Sequence, residues 1–120
     1  MVLEGDEIVR VAGTSHYQEA LRALSARQGD EVVRVEKVAL LVPEPDNPHD
    51  PNAIAVTIDG QLVGYLSRDE NKRWLDVVSG TEVGAEAMIA GRAGIEVLGV
   101  FLRLPTPTEA CAQIGIRQRR

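Results

Sequence analysis

The amino-acid sequence predicts a mainly β (α+β) domain, in which six short strands form a small, partly open barrel. Two helices interrupt the strands, so the expected order is β-α-β-β-β-α-β-β. Three observations support this fold class. Short β-prone runs recur along the chain, the dipeptide Asp59-Gly60 joins two of them as a hairpin, and two stretches of helical periodicity separate the others. A chain of 120 residues suffices for one domain with one core.

The first strand is expected at residues 8–12, because Gly13 ends a β-prone run there. A helix should begin at Ser15. Gln18 follows at the spacing of a capping box, in which each side chain bonds the other residue's backbone N–H. The apolar stripe of this helix is expected to contain Tyr17, Ala20, Leu21 and Leu24. Residues 28–30 should end the helix, since they include a glycine beside polar residues.

A long strand at residues 32–42 is followed by an unusual polar segment. Residues 45–52 contain three prolines, two aspartates and two asparagines. Such a composition predicts a stiff loop, because proline restricts φ and asparagine or aspartate side chains bond the nearby backbone. A stiff loop can present side chains to a ligand at little entropic cost. We expect Asp46 and Asn52 to act mainly as turn formers.

The next two strands form a hairpin. Alternating apolar residues at 54–58 and 61–66 flank Asp59-Gly60, a dipeptide typical of two-residue hairpin loops. Gly64 lies inside the second of these strands. A glycine there indicates a bulge or a close approach by another backbone segment, as small barrels require at their corners.

The second helix is expected to begin after Ser67, with Glu70 at the capping-box spacing, and to end at residues 79–80. Its apolar face should bury Trp74, Val77 and Val78. The last two strands are expected at residues 83–90 and 95–104, with a turn at 91–94 between them. The predicted domain spans residues 1–104. Residues 105–120 are interpreted as a C-terminal tail that can be disordered.

Composition excludes several classes of function. A net charge of −5 argues against indiscriminate binding to duplex DNA, which depends on neutralising phosphates. Cys111 is the single cysteine, so neither a disulfide nor a cysteine-based metal site is expected. No apolar run is long enough to span a membrane, and the acidic N-terminal residues do not resemble a signal peptide. A cytoplasmic location is therefore expected; the oligomeric state is left open.

The polar residues near the first helix offer three kinds of chemistry. His16, His49 and Asp50 have the residue types of a metal site, but nothing in the local sequence pairs them, so no metal or cofactor is expected. A triad of Ser15, His16 and Asp50 is disfavoured because Ser15 is better explained as a helix cap, and no enzymatic activity is expected. The N–H groups at the start of the first helix are the better candidate, since they suit a phosphate or carboxylate.

Three segments together resemble the HIRAN domain family: residues 13–18 (Gly-Thr-Ser-His-Tyr-Gln), residues 44–56 with their Glu-Pro and Asn-Pro-His-Asp motifs, and residues 60–68 ending in Gly-Tyr-Leu-Ser-Arg. The resemblance extends from about Ile8 to Leu104. It implies a modified OB-like barrel of six strands with two helices. HIRAN domains occur alone in bacteria and at the N-terminus of fork-remodelling, helicase-like ATPases, and the best-understood members capture the 3′ end of single-stranded DNA.

The resemblance also implies a binding site. Ser15, His16 and Tyr17 match the start of the first helix, and Asn47, His49 and Asp50 match the proline-rich loop. A terminal base would stack on a ring, helix N–H groups would hold the last phosphate, and the loop aspartate would accept a hydrogen bond from a free 3′-hydroxyl. The implied function is recognition of single-stranded DNA 3′ ends in repair or processing, with a DNA-processing enzyme as a further partner.

This chain departs from the DNA-binding members at the helix start. Those members have an arginine followed by two tyrosines where this chain has Ser15, His16 and Tyr17, so one cationic side chain and one stacking ring are lost. His49 stands where tyrosine is common. Weaker DNA affinity is therefore expected. The alternative function is a protein-interaction or regulatory domain that has the barrel and no DNA binding.

These histidines lead to a pH-dependence prediction. Histidine side chains ordinarily gain a proton near pH ~6.5, so any DNA affinity that depends on His16 or His49 should rise as the pH falls from about 7.5 to about 6. Fluorescence anisotropy with a labelled single strand across this range is the measurement. An affinity that does not change with pH would argue against histidine involvement.

Overall fold

The computed structural model describes residues 1–25, 32–92 and 97–118. Its strands are β1 (Val2–Leu3), β2 (Glu7–Arg10), β3 (Val32–Pro43), β4 (Ile54–Ile58), β5 (Gln61–Tyr65), β6 (Val83–Arg92) and β7 (Gly99–Leu104). Its helices are a 3₁₀ helix (Thr14–Tyr17), α1 (Gln18–Ser25), α2 (Arg68–Ser79) and α3 (Pro107–Gln118). The helix end expected at residues 28–30 lies outside the described residues. So do residues 93 and 94 of the turn expected at 91–94, whereas Gly91 and Arg92 belong to β6.

The described strands belong to a single seven-stranded sheet. Six of them are paired antiparallel in the order β2-β7-β6-β3-β4-β5, and the short β1 pairs parallel with β6 off this path. The sheet is not closed into a continuous barrel. The predicted fold class, mainly β and OB-like, is confirmed. Strand count and order differ from the prediction, because the two-residue β1 is too short to give a periodic sequence signal.

The two edges of the sheet meet at one point. An isolated antiparallel bridge joins Ala12, just beyond β2, to Tyr65 at the end of β5. The Ala12 N–H donates to the Tyr65 carbonyl at 2.8 Å, and the Tyr65 N–H donates to the Ala12 carbonyl at 2.9 Å. This pairing makes the barrel partly open, as predicted, and places the start of the first helix next to the end of β5.

Gly64 permits this approach. A Cβ atom at Gly64 would lie 2.5 Å from Val11 Cγ1 and 2.6 Å from the Ala12 carbonyl oxygen, both closer than van der Waals contact allows. The pairing register of β4 and β5 also shifts between Val56 and Thr57, which marks a bulge. Both roles predicted for this glycine, a bulge and a close backbone approach, are therefore confirmed.

The hairpin between β4 and β5 has the predicted two-residue loop. Asp59 and Gly60 have φ values of 50° and 79°, and Ile58 pairs with Gln61. Positive φ at both central residues is the geometry of a type I′ turn, whose twist matches that of the flanking strands. Among the described residues other than glycine, only Asp59 has a positive φ.

The core is aliphatic and lies on one face of the sheet. Alternate residues of β7 (Val100, Leu102 and Leu104) are fully buried, and each helix adds side chains to the same core. Leu21 comes from α1, Trp74 from α2 and Ala110 from α3. Trp74 is 1 % exposed, so its predicted burial is confirmed. No helix in the described ranges is long and apolar enough to cross a membrane.

The predicted capping box at Ser15 is wrong. The first helical turn is a 3₁₀ helix that begins at Thr14, and Gly13 precedes it in the left-handed conformation, without a side-chain cap. Ser15 thus lies inside the turn. The Gln18 side chain instead donates to the carbonyls of Thr14 (2.8 Å) and Leu98 (2.9 Å), and it accepts from the Leu98 N–H at 2.7 Å. Gln18 therefore ties the helix start to the chain just before β7.

Of the capping box predicted for α2, only the hydrogen bond to Ser67 is present. The Ser67 hydroxyl accepts from the Glu70 N–H at 3.3 Å, which confirms Ser67 as the N-cap. The Glu70 carboxylate does not complete the box. It pairs instead with the guanidinium of Arg73, one turn along the helix, at 3.0 Å.

A helix, α3, occupies most of the segment that was expected to be a tail. A complete capping box begins it: the Thr106 N–H donates to Glu109 Oε1 at 2.9 Å, and the Glu109 N–H donates to Thr106 Oγ1 at 3.2 Å. These hydrogen bonds hold the pKa of the Glu109 carboxyl below its usual value. Ala110 is fully buried, and the Gln113 side chain exchanges two hydrogen bonds with the Glu4 backbone. Burial and these contacts order the helix against the domain.

Substituting alanine at Gly64 tests the close approach of the two sheet edges. Gly64→Ala should lower the free energy of unfolding by about 2–4 kcal/mol, because the new methyl group must push the backbone at Ala12 away. Urea denaturation measures this change. Gly80→Ala is the matched control, since nothing lies within 4 Å of its Cβ position. Equal effects of the two substitutions would contradict the close approach.

Candidate nucleic-acid interface

The loop between β3 and β4 is closed by backbone hydrogen bonds at its base. The Glu44 N–H donates to the Ala53 carbonyl at 2.9 Å, and the Ala53 N–H donates to the Asp50 carbonyl at 3.0 Å. Residues 44–53 therefore form a closed unit, which we call the 44–53 loop. At its C-terminal end, the Leu66 N–H donates to the Ile54 carbonyl at 3.0 Å, so the loop is anchored beside the end of β5.

Asn47 organises the interior of this loop. Its Oδ1 atom accepts from the backbone N–H groups of His49 (2.8 Å) and Asp50 (3.1 Å). Its Nδ2 atom donates to Glu44 Oε1 at 3.0 Å. The side chain thus forms the asparagine turn that the composition predicted. Because these atoms are already engaged, Asn47 positions its neighbours and has little capacity left for a ligand.

Asp50 links the loop to α2. Its Oδ1 atom accepts from the Asn52 N–H at 2.9 Å, and its Oδ2 atom accepts from Asn71 Nδ2 at 3.4 Å. Asn71 is 3 % exposed. The carboxylate is half-buried and held in one orientation, yet each oxygen has a second lone pair for a further donor.

Two buried polar atoms lie on the same stripe of α2. Asn71 Oδ1 and the Trp74 indole Nε1 have no hydrogen-bond partner among the described residues. One is an acceptor, the other is a donor, and the residues are three apart on the helix. Both atoms are therefore exceptions to the rule that buried polar groups are hydrogen-bonded.

Tyr65 connects the loop to the first helix. Its phenol lies close to the Glu44 carboxylate and to the Tyr17 phenol. Partial burial, followed by the hydrogen bond and negative charge of Glu44, raises the pKa of Tyr65 to about 12. Each of these effects favours the neutral phenol, because ionisation would place a second negative charge beside a carboxylate.

Tyr17, Tyr65, Glu44 and Asn47 thus lie next to one another, with a hydrogen bond of 3.0 Å between Asn47 and Glu44, and we call this group the polar relay. Tyr17 is half-buried, and the neighbouring His16 ring packs against it edge to face, at 6.4 Å between centroids and an interplanar angle of 78°. The relay therefore places the helix start and the 44–53 loop side by side, as a joint site requires.

The predicted site residues divide into two groups in the structure. Tyr17, Asn47 and Asp50 are half-buried and belong to the relay or to the loop network that continues it. The other three, Ser15, His16 and His49, are exposed. The His16 N–H donates to the Gly13 carbonyl at 3.1 Å, so this amide is not available to a phosphate.

Three residues of this region were not predicted as site residues: Glu44, Tyr65 and Asn71. Glu44 and Tyr65 occur within the sequence motifs, but their pairing depends on the fold. Asn71 had a weaker signal, because it lies three residues before Trp74 and so on the apolar stripe of α2. A polar residue on such a stripe indicates a buried hydrogen bond.

The side chains gathered at the site include groups that can bind a ligand. Among residues 1–25, 32–92 and 97–118, no group of three or more histidine, cysteine, aspartate or glutamate side chains could hold a metal ion. The site offers ring faces, an oriented carboxylate and imidazoles. These groups can stack on a base and accept a hydrogen bond from a hydroxyl.

Comparison with known proteins yields one match. The family model described as HIRAN domain matches residues 5–101 of the chain. No curated protein and no solved structure matches it. The match covers all three segments that carry the sequence resemblance and all six predicted site residues.

The raised pKa of Tyr65 gives a direct test of the relay. Ultraviolet titration should show one tyrosine ionising at about 12, and Tyr65→Phe should remove that step. Because the folded-state value lies above the usual 10.0, the stabilisation from Tyr65 is complete below pH 10.0 and is lost as the pH rises towards about 12. Glu44→Gln should lower this pKa while leaving it above 10.0, since burial remains.

The matched control is Asp46→Asn, which removes an exposed carboxylate from the same loop. It should leave the titration of Tyr65 unchanged. A wild-type Tyr65 that ionises near 10.0, or equal shifts in the two variants, would contradict the contact between Tyr65 and Glu44.

Proposed function

The chain belongs to the HIRAN domain family, which is generally associated with nucleic-acid binding, and from this premise we propose that it binds the 3′ end of single-stranded DNA. HIRAN is a binding domain rather than a catalytic one. The proposed surface consists of the start of the first helix and the 44–53 loop. The observation that carries the proposal is the position of the end of β5. The Tyr65 backbone pairs with Ala12 beside the first helix, and the Leu66 N–H bonds the Ile54 carbonyl beside the 44–53 loop, so the two segments lie side by side.

The relay gives the proposed site a rigid framework. The loop is closed by Glu44, Ala53 and Asp50 through backbone bonds, and Asn47 holds its interior. A preformed loop loses little conformational entropy on binding. Affinity for a small target such as one terminal nucleotide depends on that saving, because few contacts are available.

Two groups would recognise the end of the strand. The terminal base would stack on Tyr17 or on a neighbouring imidazole, a contact worth about 1–3 kcal/mol per base for aromatic side chains. Asp50 would accept the hydrogen bond of the 3′-hydroxyl on a free lone pair, while Asn71 and the Asn52 N–H keep the carboxylate oriented. The same negative charge would repel a 3′-phosphate. The site would then recognise the 3′ end of a strand and not its base sequence.

Electrostatics sets an upper limit on the affinity. The chain has a net charge of −5, Glu44 lies within the relay, and Ser15 stands where a family arginine would neutralise a phosphate. Few phosphates are therefore neutralised, so the binding should be weak and should have a shallow salt dependence. A weak end-binding domain fits a role beside a DNA-processing enzyme, which would supply the catalytic activity in repair or processing.

Asp50→Asn tests end recognition with nearly unchanged shape. The wild-type protein should bind a labelled single strand with a free 3′-hydroxyl about ten-fold more tightly than the same strand with a 3′-phosphate, as expected for one charge-assisted hydrogen bond. In Asp50→Asn, the two affinities should be about equal. Fluorescence anisotropy at low salt, with a blunt duplex as a third ligand, measures all three.

Asp46→Asn is the matched control, because it removes the same charge from an exposed position in the same loop. It should preserve the preference for the 3′-hydroxyl. If both variants lost the preference, it would arise from the overall charge of the loop and not from Asp50, which would contradict the proposed role of Asp50. Absence of binding to any of the three ligands would overturn the proposal and favour the protein-interaction function.

A further inference from the structure

The sheet face opposite the core carries a groove of about 620 Å³. Strands β2, β7, β6 and β3 form its floor, and we call it the outer-face groove. Strand pairing defines two rows of outward side chains across it. In the order β2, β7, β6 and β3, one row contains Ile8, Arg103, Glu86 and Val38. The other row contains Arg10, Phe101, Met88 and Glu36.

Half of the outward side chains in these two rows are apolar, namely Ile8, Val38, Met88 and Phe101. Residues that alternate with them, such as Val9, Ile89 and Leu102, pack into the core together with side chains of the helices. The outward Ile8 is 61 % exposed and Val38 is 50 % exposed. Met88 and Phe101 are paired in the neighbouring row, and exposed apolar side chains gathered in a groove typically mark an interaction site.

Three arginines are placed around this apolar floor. Arg10 lies over the Phe101 ring, with its guanidinium carbon 5.9 Å from the ring centroid, and Arg34 and Arg103 line the groove. Glu36 and Glu86 are the acidic side chains of the lining. The lining also includes Lys37, so three basic side chains (Arg34, Lys37 and Arg103) face two carboxylates, although the whole chain has a net charge of −5. The groove therefore has a small excess of positive charge, which suits an acidic ligand.

The same features disfavour other occupants. Nucleic acid is disfavoured because Phe101, the one aromatic residue of the lining, is already covered by Arg10 and offers no free ring face to a base. A second copy related by a two-fold axis would present the same concave face and leave both grooves unfilled. A convex segment with apolar residues on one side fits a groove of this shape.

We propose that the outer-face groove docks an amphipathic, acidic segment of a protein partner. Apolar side chains of that segment would cover Ile8, Val38 and Met88. Its carboxylates would pair with Arg34 and Arg103. This surface shares no residue with the proposed DNA-end site, so the domain could hold a strand end and a partner protein at the same time.

The test uses three fluorescent probes of defined composition. Two are helical peptides of about 14 residues, or roughly four turns, with the same leucine stripe and with either glutamate or lysine at the remaining positions. The third is an oligothymidylate of about ten nucleotides. The glutamate peptide should bind the wild-type protein more tightly than the lysine peptide by at least about ten-fold.

Two variants locate the binding in the groove. Ile8→Asp should weaken binding of the glutamate peptide by at least about ten-fold, and the fold should be unaffected because Ile8 is 61 % exposed. The double variant Arg34→Glu, Arg103→Glu should reverse the preference towards the lysine peptide. Val2→Asp is the control for the first variant, because Val2 is 43 % exposed and lies outside the groove. Arg22→Glu with Lys72→Glu is the control for the second, since both residues are exposed on helices.

The outcomes separate the possible occupants. Binding of the glutamate peptide that is lost in the groove variants and retained in the controls supports the proposal. Absence of such binding, or equal losses in the controls, overturns it. Oligothymidylate affinity that falls in Ile8→Asp would overturn it in favour of nucleic acid, and dimers of wild-type protein that dissociate in Ile8→Asp would overturn it in favour of self-association.

Discussion

The pairing between Ala12 and Tyr65 is the constraint on which the proposed site depends. Two backbone hydrogen bonds of 2.8 and 2.9 Å hold the edges of an otherwise open sheet together at this point. The approach is close enough that only glycine fits at position 64. Because Tyr65 follows Gly64 directly, the same contact that nearly closes the barrel brings a phenol between the first helix and the 44–53 loop. The contact that joins the two sheet edges therefore also positions the residues of the proposed site.

In the 44–53 loop, most of the polar side-chain atoms of Asn47 and Asp50 bond within the protein, and few are free to contact a ligand. Asn47 uses its carbonyl and its amide within the loop, and Asp50 uses one lone pair on each oxygen for Asn52 and Asn71. What remains for a ligand is the second lone pair of each Asp50 oxygen and the exposed ring of His49. A site with so few free groups suits a small target, such as a terminal nucleotide, better than an extended one.

Local signals in the sequence predicted the elements that local physics determines. Positive φ at Asp59-Gly60 and the Ser67 cap need only neighbouring residues, whereas the Ser15 prediction failed because a 3₁₀ turn shifted the helix start to Thr14. The capping box of α3 was visible as Thr-x-x-Glu and was missed. The contact between Asp50 and Asn71 spans 21 positions and the Glu44–Tyr65 contact also depends on strand register, so neither could be derived before the topology was known.

The most direct test of a joint site is amide NMR during titration with a single strand that has a free 3′-hydroxyl. If the helix start and the loop bind the strand end together, the shifts should concentrate at residues 13–18 and 47–52 and at Tyr65. The outer-face strands should remain unchanged. Shifts confined to the outer-face groove, or to only one of the two segments, would contradict the claim that the polar relay assembles a single binding surface.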